Sequence, residues 1–322
     1  MQRLPDDLAA RPFSTTEART LGVSARDLRN KELHVLTRGS RVKSEPTSLT
    51  ERALAYLVAL RAPVALSHIS AAMVWGIPLP AALERQSDLN VMCGRRSGPV
   101  RRDGCIGHRG LERRRVVQHP SSVAVTSLAD TWVDLGVDLG EVLDRGLGLD
   151  DLVVAGDVTA RLLDKAKGAG DGVQLIRTTL DARVRPRGKV MLDQALALVS
   201  PRAKSPMETR ARLMFHRGGL PTPELNVAVE FELADGSSAG WMLEGDFVWR
   251  DQRVIGEYQG KHHRVIGQRA VDVARRHLAE DEDWTFVEIF AGDVYTRPKR
   301  IAMLRRLARA LGVPESDLDL TH

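Results

Sequence analysis

The stretch GDFVWRDQRVIGEYQGKHH, residues 245–263, leaves few choices of backbone. Two apolar runs flank a short polar segment, the signature of strand, tight turn and strand. With Asp251 and Gln252 at the centre of the turn, Trp249 faces Val254, Val248 faces Ile255, Phe247 faces Gly256 and Asp246 faces Glu257. Any even-length loop centred there keeps that pairing. Side chains alternate with period 2, so Gln259 shares the face of Glu257, and Lys261 follows if the strand continues. Acidic residues are depleted in strands, and like charges placed opposite each other destabilise a ribbon. A positive charge between Asp246 and Glu257 relieves the conflict. A divalent cation is one source. Arg250 and Arg253, on the same face nearer the turn, are another.

The segment SPMETRARLMFHRGG begins at Ser205 and carries its own helix start. Ser205 is a good N-cap, Pro206 suits the first helical position, and Glu208 completes a capping box. A glutamate in a first turn can also reach toward a cation held by the ribbon. Downstream, KHHRVIGQRAVDVARRHLAEDEDWTFVEIF reads as a basic loop holding His262 and His263, a helix facing the sheet through Ala274 and Leu278, and a buried strand. RPKRIAMLRRLARAL is amphipathic through Ile301, Leu304, Leu307, Ala308 and Leu311. Helix, strands, helix, strand and helix after residue 200 describe one α/β unit.

The chain opens differently. STTEARTLGVSARDLRNKELHVLTRGSRV predicts a helix over Thr15–Leu21, a turn at Gly22, a second helix opening at Ser24, and a hairpin wing around Gly39. Two helices joined by a tight Gly turn make a helix-turn-helix. Arg26, Arg29 and Lys31 then lie on the second helix, with Arg38, Arg41 and Lys43 near the wing. A small helical cap with solvated charges is the competing reading. Residues 44–200 carry amphipathic helices at TSLTERALAYLVALRA and SHISAAMVWGIPLP, strand-like pieces at LNVMCG, GCIGHRG and RRVVQHP, a helix near Ser127–Leu135, and further helices beyond residue 150. His68, in a first helical turn, reads as a cap partner or core residue before it reads as a base.

Other functional classes find little support. The Gly-rich pieces lack a phosphate-loop or dinucleotide pattern. Cys93, Cys105, His108 and His119 lack the close Cys pair of a zinc site, and two cysteines make no disulfide framework. No run has the length and apolarity of a membrane span, and the first residues lack a signal-peptide core, so a cytoplasmic location is expected. The net charge of +5 and pI of about 9.5 favour a polyanionic partner. Aromatic residues, at 4%, provide no stacking platform of the RNA-recognition type.

Glu on a helix, then Asp and Glu-x-Gln on paired strands, resembles the PD-(D/E)XK nuclease superfamily. Within it, the order of SPMETRARLMFHRGGLPTPELN, GDFVWRDQRVIGEYQGKHHR and WTFVEIF is similar to the very-short-patch-repair-endonuclease-like domains that end many actinobacterial proteins. FSTTEARTLGVSARDLRNKEL with TRGSRV and SHISAAMVWGIPLP resembles the winged-helix module of AbiEi-like antitoxins. The two resemblances touch about the first 80 and last 120 residues. They imply a multidomain α/β protein: a winged helix-turn-helix over 1–43, a mixed α/β region over 44–200 and a restriction-endonuclease-like domain over 201–322. They further imply Mg²⁺ or Mn²⁺ held by Asp246 and Glu257 with Glu208 assisting, and catalysis supported by Gln259 and Lys261. The superfamily usually has Lys where this chain has Gln259. Double-stranded DNA is the implied partner, contacted by Arg26, Arg29, Lys31, Arg38, Arg41, His262 and His263. The expected activity is metal-dependent phosphodiester cleavage. The alternative is a non-catalytic antitoxin or repressor, acting as a homodimer or beside a toxin-like protein.

Overall fold

The structure, a computed structural model, describes residues 4–60, 63–141, 148–168, 170–232, 238–260 and 283–321. Contacts group Met1–Leu198 into one unit and Val199–His322 into another. Each is α/β.

The first unit opens with α1 (Asp6–Ala9), β1 (Phe13–Ser14) and α2 (Thr15–Thr20). Ser14 caps α2, its Oγ accepting the Glu17 N–H at 3.0 Å. The helix expected to open at Ser24 is instead a single 3-10 turn, Asp27–Arg29. Ser24 does cap it, accepting the Asp27 N–H at 3.1 Å. The turn stops because Asn30 leaves helical geometry and its Oδ1 accepts the Glu32 N–H at 3.2 Å. Such a local bond offers the backbone an alternative to another helical turn. Leu28 alone is buried from this segment, beside Leu8, Phe13 and Ala18, too little apolar surface to hold a longer helix. The wing survives in brief: His34 bridges Val42, Gly39 turns at φ 90°, and β2 (Ser40–Arg41) pairs antiparallel with β1.

Beyond it come α3 (Leu49–Leu57), β3 (Val64–Leu66), α4 (His68–Trp75), α5 (Ala81–Glu84), β4 (Leu89–Cys93), β5 (Cys105–Arg109), β6 (Val116–Gln118) and β7 (Ala124–Thr126). α6 (Leu128–Glu141), α7 (Leu149–Lys167), α8 (Gly172–Asp181) and α9 (Lys189–Leu198) complete the unit. The five strands form one sheet in the order β5-β4-β3-β7-β6. β4 is buried along its whole length, as a central strand must be. Leu66, Leu89, Val91 and Val125 pack beside Ala53 of α3, while α4 packs on β4 and on α6.

The second unit begins with α10 (Pro206–Arg217), then β8 (Glu224–Glu232), β9 (Ser238–Trp249), β10 (Val254–Tyr258), β11 (Thr285–Ile289), α11 (Ala291–Tyr295) and α12 (Arg297–Leu311). The sheet order is β11-β10-β9-β8, antiparallel except for the parallel β10–β11 pair. One face buries Phe247, Trp249, Val254, Val287 and Ile289 against Phe215 of α10 and Leu304, Leu307 and Leu311 of α12. The helical spacing in RPKRIAMLRRLARAL therefore does bury Leu304, Leu307, Ala308 and Leu311 of the stripe it marks, while Ile301 stays half-buried. The other face carries Val229, Val248 and Ile255 with Leu243, Trp284 and Phe286. Among the described residues, no helix is long and apolar enough to cross a membrane.

Candidate functional site

The ribbon forms in the register the sequence dictates. Trp249 pairs with Val254, Val248 with Ile255 and Phe247 with Gly256. Arg250–Arg253 make the loop, closed by the Arg253 N–H donating to the Arg250 carbonyl at 3.0 Å. Arg253 takes φ 52°, the left-handed residue that lets a four-residue loop return on itself. The described ladder ends at Phe247–Gly256. Beyond it, Asp246 Oδ2 accepts the Tyr258 N–H at 2.8 Å.

Parity places the carboxylates. Val248 and Ile255 belong to one cluster, so Asp246 and Glu257, each two residues away along its strand, lie on that same face. The parallel pairing adds another acid: Glu288 sits opposite Glu257, as Phe286 sits opposite Ile255. Gln259 joins them, its Nε2 donating to Glu257 Oε2 at 3.3 Å and to Glu288 Oε1 at 3.5 Å. Its N–H is fixed by the Ile289 carbonyl at 2.8 Å.

Glu208 approaches from the start of α10 and is buried. Ser205 Oγ accepts its N–H at 3.2 Å, as the cap predicts. The reciprocal bond differs from the expected capping box. Glu208 Oε2 accepts the N–H of Lys204, at 2.8 Å, rather than that of Ser205. The same oxygen accepts Asn226 Nδ2 at 2.7 Å. Asn226 sits at φ 51°, a conformation asparagine tolerates, and also donates to the Arg202 carbonyl at 2.9 Å. Asn226 thus fixes Glu208 from β8.

These placements set the electrostatics. Burial pushes the Asp246 carboxyl up from its ordinary 3.8 to about 6. The charges of Glu208 and Glu257 push in the same direction, while the Tyr258 N–H bond and Lys204 oppose them. Lys204 is itself ion-paired with Glu244 on the exposed surface. Arg250 is not the missing counter-charge: its Nε donates to Glu224 at 2.6 Å and its Nη2 to the Ala228 carbonyl at 3.1 Å. The second explanation offered for the paired acids therefore loses one of its two arginines.

Among the described residues, no group of three or more His, Cys, Asp or Glu side chains is arranged to hold a metal ion. The fit must rest on fewer ligands. Mg²⁺ binds through one or two carboxylates plus waters and a phosphate oxygen. Asp246 and Glu257, on one face and with Asp246 pushed up by burial in spite of Lys204, match that donor set. Glu208 has one oxygen committed to two donors. Lys261, His262 and His263 lie outside the described residues, as do Ala274 and Leu278.

Glu288, Asn226 and Lys204 escaped sequence reasoning. Only Glu288 carried a signal, an acid interrupting the apolar run WTFVEIF in the manner of Asp246 and Glu257. Among the nucleic-acid candidates, Arg26, Arg29, Lys31 and Arg38 are exposed. Arg41 is half-buried, its Nε donating to the Leu28 carbonyl at 2.8 Å and its Nη1 to the Ser40 carbonyl at 2.7 Å. Its role in the first unit is to tie the wing to the 3-10 turn. In the sheet of that unit, His108 hydrogen-bonds Asn90 at 2.8 Å and stacks on the buried His68 at 3.6 Å. His119 pairs with Ser121 instead of approaching Cys93 as a zinc ligand would.

No family model matches the chain, and no solved structure does. It is similar to the uncharacterized proteins Rv2248 and MT2308 from two strains of Mycobacterium tuberculosis, at 34% identity over 126 residues. The match covers 39% of this chain and 44% of the length of either relative.

Proposed function

We propose that the protein is a divalent-metal-dependent DNA endonuclease, with a C-terminal unit of the PD-(D/E)XK, very-short-patch-repair-like kind and an AbiEi-like winged module at its N-terminus. The observation that carries this reading is the placement of Asp246 and Glu257 on one sheet face, with Asp246 largely buried and the opposing charge of Lys204 outweighed by burial and by the neighbouring acids. Asp246 and Glu257 would hold the metal. Bound there, Mg²⁺ or Mn²⁺ lowers the pKa of a coordinated water and offsets charge on the attacked phosphate. Tyr258 steadies Asp246 through its N–H, leaving Oδ1 for the site. Glu208, held by Asn226, adds negative potential that a divalent cation bound at Asp246 would offset. Gln259 positions a water or a carboxylate through its amide, and being neutral it is a poor base. In the winged module, Arg26, Arg29, Lys31 and Arg38 would contact phosphates, from a short turn and wing in place of a full recognition helix.

The purified chain is expected to nick plasmid DNA with Mg²⁺ or Mn²⁺, and Asp246→Asn or Glu257→Gln to abolish nicking while duplex binding persists. Absence of cleavage with every divalent metal, together with tight binding to a specific duplex, would overturn the enzymatic reading. A second reading has its own support. Gln259 stands where the superfamily usually has Lys and is hydrogen-bonded among Glu257 and Glu288, which suits a nuclease fold retained in an antitoxin-like repressor.

A further inference from the structure

The first unit contains a pocket of about 600 Å³ lined by Arg95, Arg109, Arg113, Arg114, Arg183 and Arg187. Asp134 is the one acidic residue in its lining, and two of the arginines are already devoted to the buried acids beneath it. Arg114 grips Asp134 with both ends of its guanidinium, Nη2 at 2.6 Å and Nε at 3.3 Å. Arg183 pairs with Asp130 and lies 3.9 Å from Asp134. Two guanidinium groups and two carboxylates thus balance, and this neutral network forms the floor. Burial pushes Asp134 up and Arg183 down, so the floor lies in a medium where charge is poorly screened.

The rim is fastened to that floor. After β5, Gly110 takes φ 106° and starts the 3-10 turn Leu111–Arg113. Arg114 Nη1 donates to the Gly110 carbonyl at 3.2 Å, and Arg183 Nη1 donates to the Arg113 carbonyl at 2.7 Å. Buried guanidinium groups therefore hold the backbone that carries Arg109 and Arg113. Both of these side chains are exposed, and neither forms an ion pair with a carboxylate among the described residues. Their charge is left for a ligand. The Arg95 side chain lies 3.9 Å from exposed Glu112, which also accepts the Arg95 N–H at 3.1 Å.

From this arrangement we infer that the pocket binds a small phosphate-bearing ligand of nucleotide size, gripped at its phosphates by Arg109 and Arg113. Guanidinium forks match phosphate oxygens in pairs. The volume lies within the usual range for small-molecule sites, roughly 300–1,000 Å³. The lining offers Val133, Ala182, Val184 and Pro186 but no aromatic ring, so recognition falls on phosphate and sugar more than on a stacked base. The pocket belongs to the first unit, and the inference stands independently of the nuclease reading.

Calorimetric titration of the full chain tests it, with inorganic pyrophosphate, a nucleoside triphosphate and a twelve-nucleotide single strand as separate probes at low salt. Saturable one-to-one binding of pyrophosphate or the triphosphate is expected. It should weaken at least tenfold in Arg109→Ala/Arg113→Ala and remain unchanged in Arg96→Ala, an exposed arginine outside the pocket. Circular dichroism of the double variant should match the parent, because both side chains are exposed. Binding of the strand alone would overturn the small-ligand assignment and make the pocket a backbone contact. Binding of no probe, or equal weakening by Arg96→Ala, would overturn the site itself.

Discussion

Replacing Asp246 by Asn isolates the physics on which the carboxylate site depends. The folded protein holds a proton on Asp246 up to about pH 6, whereas the ordinary value is 3.8. Between those values the folded state binds more protons than the unfolded one, so stability falls as pH rises and levels off above about 6. The shift corresponds to about 3 kcal/mol at roughly 1.4 kcal/mol per unit. Asp246 is only half-buried, and solvent screening reduces the expected effect to about 1.5 kcal/mol. Asn keeps a side-chain oxygen for the Tyr258 N–H and carries no charge. The variant should therefore match the parent at pH 4 and exceed it by about 1–2 kcal/mol at pH 8. Urea unfolding at the two pH values, followed by circular dichroism and tryptophan fluorescence, measures the difference. Mg²⁺ gives a second axis. At ten times its Kd it should stabilise the parent by about 1.4 kcal/mol and leave the variant unaffected. An Asn variant that is less stable than the parent by the same amount at both pH values would show that Asp246 is a structural hydrogen-bond acceptor and not a frustrated charge.

The histidine stack in the first unit gives the opposite pH dependence. Burial first, and then the charge of Arg114, lowers His108 from 6.5 to about 4, and His68 is pushed down by burial, by His108 and by Arg114 and Arg183. A depressed histidine loses stability as pH falls below its ordinary value, by about 2 kcal/mol for His108 between pH 6.5 and 5. In His108→Gln this part of the acid sensitivity should disappear, read as a flatter slope of melting temperature against pH. Near the N-terminus, under the proposed DNA-binding role, Arg26→Ala/Arg29→Ala/Lys31→Ala should weaken duplex binding and reduce the steepness of its salt dependence by up to about three phosphate contacts. An unchanged salt slope in electrophoretic or anisotropy titrations would mark those side chains as merely solvated.

Local patterning accounts for much that is observed. The ribbon from Phe247 to Gly256 was legible because a two-residue period and an even loop leave a single register, and burial of Phe247, Trp249 and Val254 enforces it. The stripe of Leu304, Leu307 and Leu311 and the cap at Ser205 were equally local. The second helix of the N-terminal module failed for a reason that competes at the same scale. A cap at Ser24 can start a helix, but the Asn30 side chain and the lack of apolar neighbours for anything except Leu28 end it within one turn.

The sequence alone determined which residues alternate, where helices begin, and therefore that Asp246, Glu257 and Gln259 share one side of a sheet. Tertiary structure decided which charges meet. Glu288 meets Glu257 through a parallel strand just over thirty positions away, Asn226 of β8 captures Glu208 of α10, and Arg250 leaves the acids for Glu224. The floor of arginines and aspartates likewise joins the segment between β5 and β6, α6 and the residues after α8. Periodicity records which way a side chain points relative to its own backbone, while charge pairing depends on distances between segments that only chain topology sets.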